Sequence, residues 1–180
     1  MTGYLRILTV CSFNRVRSVA MAGHLRAQLR TRHVDAHVVG AGFGPAGEPP
    51  LPEVTAALAH VGIDVSGYRS RTVDRPTVAG ADLIVTAERL HVVRLSEDVA
   101  GVFARTFTLP ELVTLGEAVG PRNGAPLAGW LGAVSAARAP ATFLTSNVQE
   151  IADPTGRAPV AVAAAVAEIG EWCRRLAVLL

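Results

Sequence analysis

Hydrophobic positions along the chain alternate between short runs typical of buried strands and longer stretches with helical spacing. Residues 6–10 form an apolar, β-branched run, whereas residues 18–29 carry apolar side chains at helical intervals. A second pair follows, with a strand predicted over 37–41 and a helix over 53–60 that ends at Gly62. The first third of the chain therefore predicts two strand–helix units.

The same alternation continues towards the end of the chain. A third buried strand is predicted over 81–85, a helix over 88–95, a fourth strand over 103–109 and a final helix over 159–180. Strands that alternate with helices at this spacing favour a parallel sheet with right-handed crossovers. We predict the α/β class, in a single domain spanning residues 1–180.

Residues 116–147 break this rhythm. The segment is rich in glycine, alanine and proline around one amphipathic stretch, 127–138. We interpret it as a helical insertion that precedes the Asp-Pro sequence at 153–154.

Composition and charge narrow the classes of function. Half of the 180 residues are hydrophobic, enough for one sizeable core, and the formal net charge is only +2. All 17 basic residues are arginine and form no cluster, so no nucleic-acid partner is predicted. Arg6 interrupts the apolar start, and the apolar tract at 159–167 is too short to span a bilayer. We predict a cytoplasmic protein without a membrane partner.

The loop between the first strand and the first helix carries candidate chemistry. In an open α/β sheet this loop brings backbone N–H groups and a helix N-terminus to the ligand site, and such surroundings favour a thiolate at Cys11. Arg17 follows six residues later, and a curled loop with a planar guanidinium fork suits phosphate. Ser18 can donate its hydroxyl to the thiolate, and Asn14 tolerates the left-handed dihedrals that a curled loop needs.

Each of these residues also has an ordinary structural explanation. A cysteine at the end of a strand is commonly a small core residue, and an Asp-Pro pair is commonly a turn or a helix cap. The five histidines show no metal-ligand spacing, because His33 and His37 straddle a break between a helix and a strand. We predict no metal and no cofactor.

The Cys-x5-Arg-Ser pattern in this position resembles the low-molecular-weight protein tyrosine phosphatase family, whose fold is shared by related arsenate reductases. The resemblance extends to "VVGAG" at 38–42, "GIDVSGYRSR" at 62–71, "ADLIV" at 81–85 and "ADP" at 152–154. It implies a four-stranded parallel sheet flanked by helices. It also implies a cysteine-dependent phosphatase that acts on a phosphorylated protein or a small phosphoester and releases inorganic phosphate.

The resemblance further implies a role for each matching residue. Cys11 would attack phosphorus, Arg17 and the loop amides would bind the phosphoryl oxygens, and Asp153 would protonate the leaving oxygen and then activate water. The remaining residues of the phosphate-binding loop would be Ser12, Phe13, Asn14, Arg15, Val16 and Ser18.

Inside the loop the chain departs from the usual family pattern at three positions. Phe13 stands where glycine is common, Val16 where many members have a second cysteine, and Val19 where proline often follows the serine. Without a second thiol in the loop, we expect Cys11 to over-oxidise more readily.

Outside the loop four further positions depart from the pattern. Gly40 replaces a common serine and Tyr68 a histidine that tethers the loop asparagine, so an altered tether is expected. Thr155 and Gly156 stand where many members have tyrosines that wall a phosphotyrosine pocket. The sequence therefore favours phosphoester hydrolysis over a specific preference for phosphotyrosine.

Two other functions stay open on the sequence. The first is an arsenate reductase coupled to a small thiol, since the cascade type needs a cysteine pair near residues 82–89 and none is there. Cys173 is expected to be a packing residue of the final helix. The second is a catalytically weak module that binds phosphate or a phosphoprotein.

Overall fold

The computed structural model describes residues 4–136 and 138–180, which are built around a sheet of four parallel strands. The strands are β1 (Leu5–Cys11), β2 (Ala36–Gly42), β3 (Leu83–Thr86) and β4 (Thr106–Thr108), in the spatial order β2-β1-β3-β4. The register pairs Cys11 with Gly42, at the carboxyl end of the sheet. The expected α/β fold with four parallel strands is confirmed.

In the part of the chain that the structure describes, seven helices cover the two faces of the sheet. They are α1 (Arg17–Thr31), α2 (Pro52–His60), α3 (Arg75–Gly80), α4 (Arg89–Asp98), α5 (Leu109–Val119), α6 (Leu127–Ser135) and α7 (Pro159–Leu179), with short 3₁₀ turns at Phe103–Arg105 and Pro140–Thr142. Within the described residues, no helix is long and apolar enough to cross a membrane.

Alternate side chains of the two central strands, β1 and β3, enter separate hydrophobic layers. Ile7, Leu83 and Val85 belong to the larger layer, which also contains the buried faces of α1, α5 and α7. Leu8 and Ile84 belong to a smaller layer on the other side, with α3 and α4. Because both faces are covered, residues 7–10 of β1 and 83–86 of β3 are buried, which explains why nearly continuous hydrophobic runs predicted these strands.

Two helices, α3 and α5, were not predicted from the sequence, and the fourth strand is shorter than predicted. Strand β4 has three residues instead of the predicted seven, because a 3₁₀ turn occupies 103–105 and Thr108 already caps α5. The Thr108 hydroxyl accepts from the Glu111 N–H, and the Glu111 carboxylate accepts from the Thr108 N–H, both at 3.3 Å. This capping box was present in the sequence as Thr-Leu-Pro-Glu.

The segment interpreted as an insertion, 116–147, begins inside α5 and contains the predicted helix as α6. Residue 137 of this segment lies outside the described residues. That the segment 116–147 is an insertion relative to other proteins stays a prediction.

Arg138 attaches this segment to the rest of the fold. Its side chain is 3% exposed and makes a two-pronged ion pair with Glu111, at 2.8 and 3.3 Å. The guanidinium also donates to the carbonyls of Phe103 and Thr106 and lies 4.2 Å from the ring centres of Phe103 and Phe107. A buried guanidinium with this many partners fixes the part of the segment that follows α6 against β4 and α5.

We expect Arg138→Ala to lower the free energy of unfolding by about 3–5 kcal/mol, because it leaves the Glu111 carboxylate buried without its cation. Arg175→Ala is the matched control: its pair with Glu117 is exposed, and its loss is expected to cost about 1 kcal/mol or less. Urea unfolding of both variants measures the difference, and equal losses would contradict an anchoring role for Arg138.

Candidate active site

The loop from Ser12 to Val16 turns tightly over the carboxyl end of β2. Gly42 allows this close approach, since a Cβ there would lie 2.6 Å from the Asn14 backbone nitrogen and 2.9 Å from the Cys11 carbonyl oxygen. The backbone N–H groups of Phe43 and Gly44 both donate to the Ser12 carbonyl, at 2.8 and 2.9 Å. The loop is therefore fixed to the neighbouring strand along its first half.

The thiol of Cys11 lies at the end of β1, where the loop begins, and the residue is 3% exposed. Its sulfur is 3.1 Å from the Ser18 Oγ in the first turn of α1. Asn14 adopts a left-handed conformation with φ of 53°, and its side-chain amide donates to the same Ser18 oxygen at 2.8 Å. Asn14 thus has the left-handed conformation that a curled loop needs, and the Ser18 hydroxyl lies within hydrogen-bond distance of the thiol.

Arg17, the first residue of α1, is almost completely buried, with 2% of its side chain exposed. Its Nη1 donates to the Glu88 carboxylate and, at 3.1 Å, to the Ile151 carbonyl. Its Nη2 donates to Asp153 Oδ2 at 2.7 Å and lies 3.4 Å from the Ser12 hydroxyl. Two carboxylates thus compensate one buried cation beside the loop.

Asp153 reaches this cluster from the loop before α7, 136 residues after Arg17. Its other oxygen, Oδ1, accepts from the backbone N–H and the hydroxyl of Thr155, at 3.0 and 2.7 Å. Burial raises the pKa of Asp153, but the Thr155 hydrogen bonds and the charge of Arg17 outweigh it and lower the pKa below its usual value. Thr155, which stands where many family members have a tyrosine, orients this carboxylate.

His91 connects α4 to the loop and has a defined tautomer. Its Nδ1 accepts from the Glu88 backbone N–H at 3.2 Å, so in the neutral ring the proton is on Nε2, which lies 3.2 Å from the Ser12 Oγ. Burial, with a contribution from the charges of Arg17 and Arg94, lowers the pKa of His91 to about 4, although Glu88 and Asp153 oppose the shift. His91 is therefore a neutral donor to Ser12 at physiological pH.

The remaining loop residues hold the loop or border it. Val16 is buried at the N-terminus of α1, and the Arg15 Nε donates to the Pro49 carbonyl at 2.8 Å. Phe13 is 59% exposed, and its ring lies so close to Gly44 that a Cβ there would be 2.5 Å from a ring carbon. Phe43 stacks on His91, with ring centres 5.6 Å apart. Two aromatic rings thus lie next to the loop.

Sequence reasoning missed Glu88 and His91. Both follow β3, which pairs with β1, so the topology brings them to the same edge of the sheet as Cys11. The available signal was the polar sequence directly after a buried strand, because the carboxyl ends of parallel strands meet at one edge.

A comparison with known families identifies the chain. Residues 6–114 match the model of the family described as low molecular weight phosphotyrosine protein phosphatase. The chain belongs to this family. The cysteine-dependent phosphatase expected from the sequence is thereby confirmed at the level of the family. A comparison with curated proteins finds no significant match.

Solved structures of the low molecular weight phosphatase fold cover nearly the whole chain. A YwlE mutant from Bacillus subtilis is 19% identical with a TM-score of 0.74, and the match covers 96% of each chain. YwlE arginine phosphatase from Geobacillus stearothermophilus is 22% identical with a TM-score of 0.70, covering 96% of this chain and 90% of that one. The low molecular weight protein tyrosine phosphatase from T. tengcongensis is 22% identical, with a TM-score of 0.73 and coverages of 96% and 97%.

We expect His91→Gln to flatten the acid dependence of stability in this phosphatase. Between the ordinary pKa of 6.5 and about 4, the unfolded chain binds a proton at His91 that the folded chain does not, so stability is lost as the pH falls. Glutamine can accept the same Glu88 N–H without titrating.

Urea unfolding at pH 7.5 and pH 5 measures this effect. The parent is expected to lose about 1–2 kcal/mol more than the His91→Gln variant over that interval. His60→Gln, at an exposed position of α2, is the control and is expected to behave like the parent. Identical acid dependence in the parent and His91→Gln would contradict the assignment of His91 as a buried neutral donor.

Proposed function

We propose that this protein hydrolyses phosphomonoesters through a phosphocysteine intermediate, with Cys11 as nucleophile, Arg17 as oxyanion ligand and Asp153 as general acid and base. The observation that carries the proposal is the direct pair between the buried Arg17 fork and Asp153, beside a cysteine loop at the N-terminus of α1. This pair places a cation that can bind phosphate next to a carboxylate that can donate and accept a proton. Loop residues 12–16 and Ser18 complete the proposed phosphate site.

Substrate binding and proton transfer are coupled in this arrangement. The Arg17 Nη2 is engaged by Asp153 Oδ2 and Ser12, so an incoming phosphate dianion competes with Asp153 for the same N–H groups. Once displaced, Asp153 loses a cation and gains a neighbouring dianion, and both changes raise its pKa. The substrate thus converts a carboxylate that is ionised in the free protein into the acid that the first step needs.

The first step forms the sulfur–phosphorus bond. The Cys11 thiolate attacks phosphorus in line with the ester oxygen, the bond from phosphorus to that oxygen breaks, and Asp153 gives its proton to the leaving alkoxide or phenoxide. The positive end of α1 and the Arg17 fork stabilise charge on the phosphoryl oxygens.

The second step releases phosphate. Asp153, now ionised, accepts a proton from water as the water oxygen attacks phosphorus, and the sulfur–phosphorus bond breaks. The electron pair returns to the Cys11 sulfur, where the Ser18 hydroxyl at 3.1 Å can stabilise the thiolate.

Proteins of the same fold support this chemistry. A variant of YwlE arginine phosphatase with an active-site serine in place of cysteine carries a phosphate on that serine, and Vibrio vulnificus Wzb has been solved with benzylphosphonate. Because these neighbours include proteins named as arginine and tyrosine phosphatases, an aryl phosphate and phosphoarginine both belong in the first substrate panel.

A reductase that uses the second cysteine receives no support. Cys173 is fully buried in α7, its sulfur faces the Met21 carbonyl at 3.7 Å, and burial strongly raises the pKa of its thiol. Only the version coupled to an external small thiol stays open, and it has no use for the Asp153 proton. The phosphatase proposal accounts for Asp153 and is preferred.

We expect Cys11→Ser to abolish hydrolysis of a chromogenic aryl phosphate while binding of inorganic phosphate is retained, because a serine hydroxyl is a far weaker nucleophile at neutral pH. Turnover is followed by absorbance and binding by calorimetry. Cys173→Ala is the matched control and is expected to keep its turnover. Substantial hydrolysis by Cys11→Ser would overturn the phosphocysteine mechanism.

We expect Asp153→Asn to lower kcat about 10²- to 10⁴-fold for an ester with a poor leaving group and less for one with a good leaving group. The same variant should bind phosphate more tightly than the parent, because the anion that competes for Arg17 is gone.

The matched control is Glu150→Gln, which alters a nearby carboxylate that accepts only from the Arg89 backbone N–H among the described contacts. Steady-state kinetics with two esters and competition by phosphate measure both effects. Equal losses for both esters would show a positional role for Asp153, and weaker phosphate binding would contradict the competition.

A further inference from the structure

The loop asparagine is held by a residue that the sequence analysis treated as a departure. The Tyr68 hydroxyl lies 3.0 Å from Asn14 Oδ1, and the Arg71 backbone N–H donates to the same oxygen at 2.9 Å. A backbone N–H can only donate, so the contacted atom must be the amide oxygen, and this fixes the orientation of the Asn14 side chain. The sequence predicted an altered tether for Asn14. In the structure the tether is kept, but its donor is the Tyr68 hydroxyl instead of a histidine.

This orientation gives the hydrogen bonds a single direction. Tyr68 must donate because the Asn14 carbonyl oxygen has no proton, and the Asn14 Nδ2 must donate to the Ser18 Oγ at 2.8 Å. When Cys11 is ionised its sulfur has no proton either, so Ser18 donates to it across 3.1 Å. The donors run from Tyr68 through Asn14 and Ser18 to Cys11.

Gly40 and Tyr68 fit each other sterically. A Cβ on Gly40 would lie 2.4 Å from the Tyr68 hydroxyl oxygen and 2.9 Å from the Asn14 Nδ2. Any side chain at position 40 would therefore displace the tyrosine hydroxyl from Asn14. Compared with the serine and histidine common in the family, the chain has a smaller residue at one position and a longer one at the other.

Tyrosine also differs from histidine in its titration. Burial raises the pKa of Tyr68 above its ordinary value of 10.0, although the bond to Asn14 and the charges of Arg26 and Arg71 oppose the shift. The hydroxyl stays protonated throughout the acid and neutral range, whereas a histidine changes its charge near neutral pH. The ionisable groups that face Tyr68 are Arg26 of α1, Arg71 of the adjoining loop and Cys11 itself.

We propose that Tyr68 is a positioning residue that stabilises the Cys11 thiolate through Asn14 and Ser18, and that Gly40 is the companion it requires. The proposal rests on Cys11 being the nucleophile of the proposed phosphatase. What is new is that Gly40 and Tyr68, which both differ from the residues common in the family, together replace the usual tether of Asn14. The tyrosine hydroxyl of this tether does not titrate near neutral pH.

The decisive experiment uses Tyr68→Phe, which removes one hydroxyl and keeps the ring. We expect the pH midpoint for alkylation of Cys11 by iodoacetamide to rise by about half a unit, and kcat/KM for an aryl phosphate to fall about 10-fold. Tyr4→Phe is the matched control, since Tyr4 is 53% exposed and lies before β1. It is expected to change neither quantity. The alkylation is measured in a Cys173→Ala background so that only one thiol reacts.

A second set of variants tests the pairing. We expect Gly40→Ala to shift the alkylation midpoint as Tyr68→Phe does, and the double variant to be no worse than the poorer single variant. Gly67→Ala is the control, because a Cβ at Gly67 meets no atom within 4 Å. Losses that simply multiply in the double variant would contradict the interlocked pair.

The outcomes separate this proposal from the proposed function. An unchanged alkylation midpoint in Tyr68→Phe overturns the role of Tyr68, even if kcat/KM falls, because a merely structural loss would not alter thiolate stability. If the parent fails to hydrolyse phosphoesters, the proposed function is wrong. The pH midpoint of Cys11 alkylation still measures whether Tyr68 stabilises the thiolate. If Tyr68→Phe does not fold, Gly40→Ala perturbs the same hydrogen bond and gives the same readout.

Discussion

A guanidinium that is almost completely removed from water must be surrounded by acceptors, and at Arg17 this requirement organises the whole candidate site. Its three partners come from two separate parts of the chain: Glu88 follows β3, whereas the Ile151 carbonyl and Asp153 lie in the segment before α7. These segments cannot move away without leaving a buried charge uncompensated. The cation that is proposed to bind phosphate is therefore also the contact that brings the proposed acid to the loop.

The loop itself depends on close backbone approach. Gly42 lets the loop lie directly on β2, and Asn14 provides a left-handed residue at the turn. Its side chain then connects the loop to Tyr68, Arg71 and Ser18. The sulfur of Cys11 thus lies 3.1 Å from a fixed hydroxyl, and Arg17 contacts the next loop residue, Ser12. Such preorganised donors suit a site where negative charge must be stabilised.

The two buried arginine side chains of Arg17 and Arg138 serve different purposes. Arg138 is compensated by one carboxylate, two carbonyls and aromatic rings, and these contacts fasten the segment after α6 to the 3₁₀ turn, β4 and α5. Arg17 is compensated by two carboxylates, one of which, Asp153, is 40% exposed and is the one that we propose an incoming anion displaces. The proposed exchange rests on this exposure of Asp153, whereas the Glu111 partner of Arg138 is only 10% exposed.

The sequence by itself determined the α/β class, the order of the strands along the chain, and the position of Cys11, Arg17 and Ser18 at one strand-to-helix loop, because periodicity and loop spacing are local properties. It also selected Asp153, through a family resemblance. It did not place Glu88 or His91 in the site, and it could not show that Thr155 orients Asp153 or that Gly40 and Tyr68 fit each other sterically. Those relations depend on distances between segments far apart in sequence, which only the packing of helices on the sheet decides.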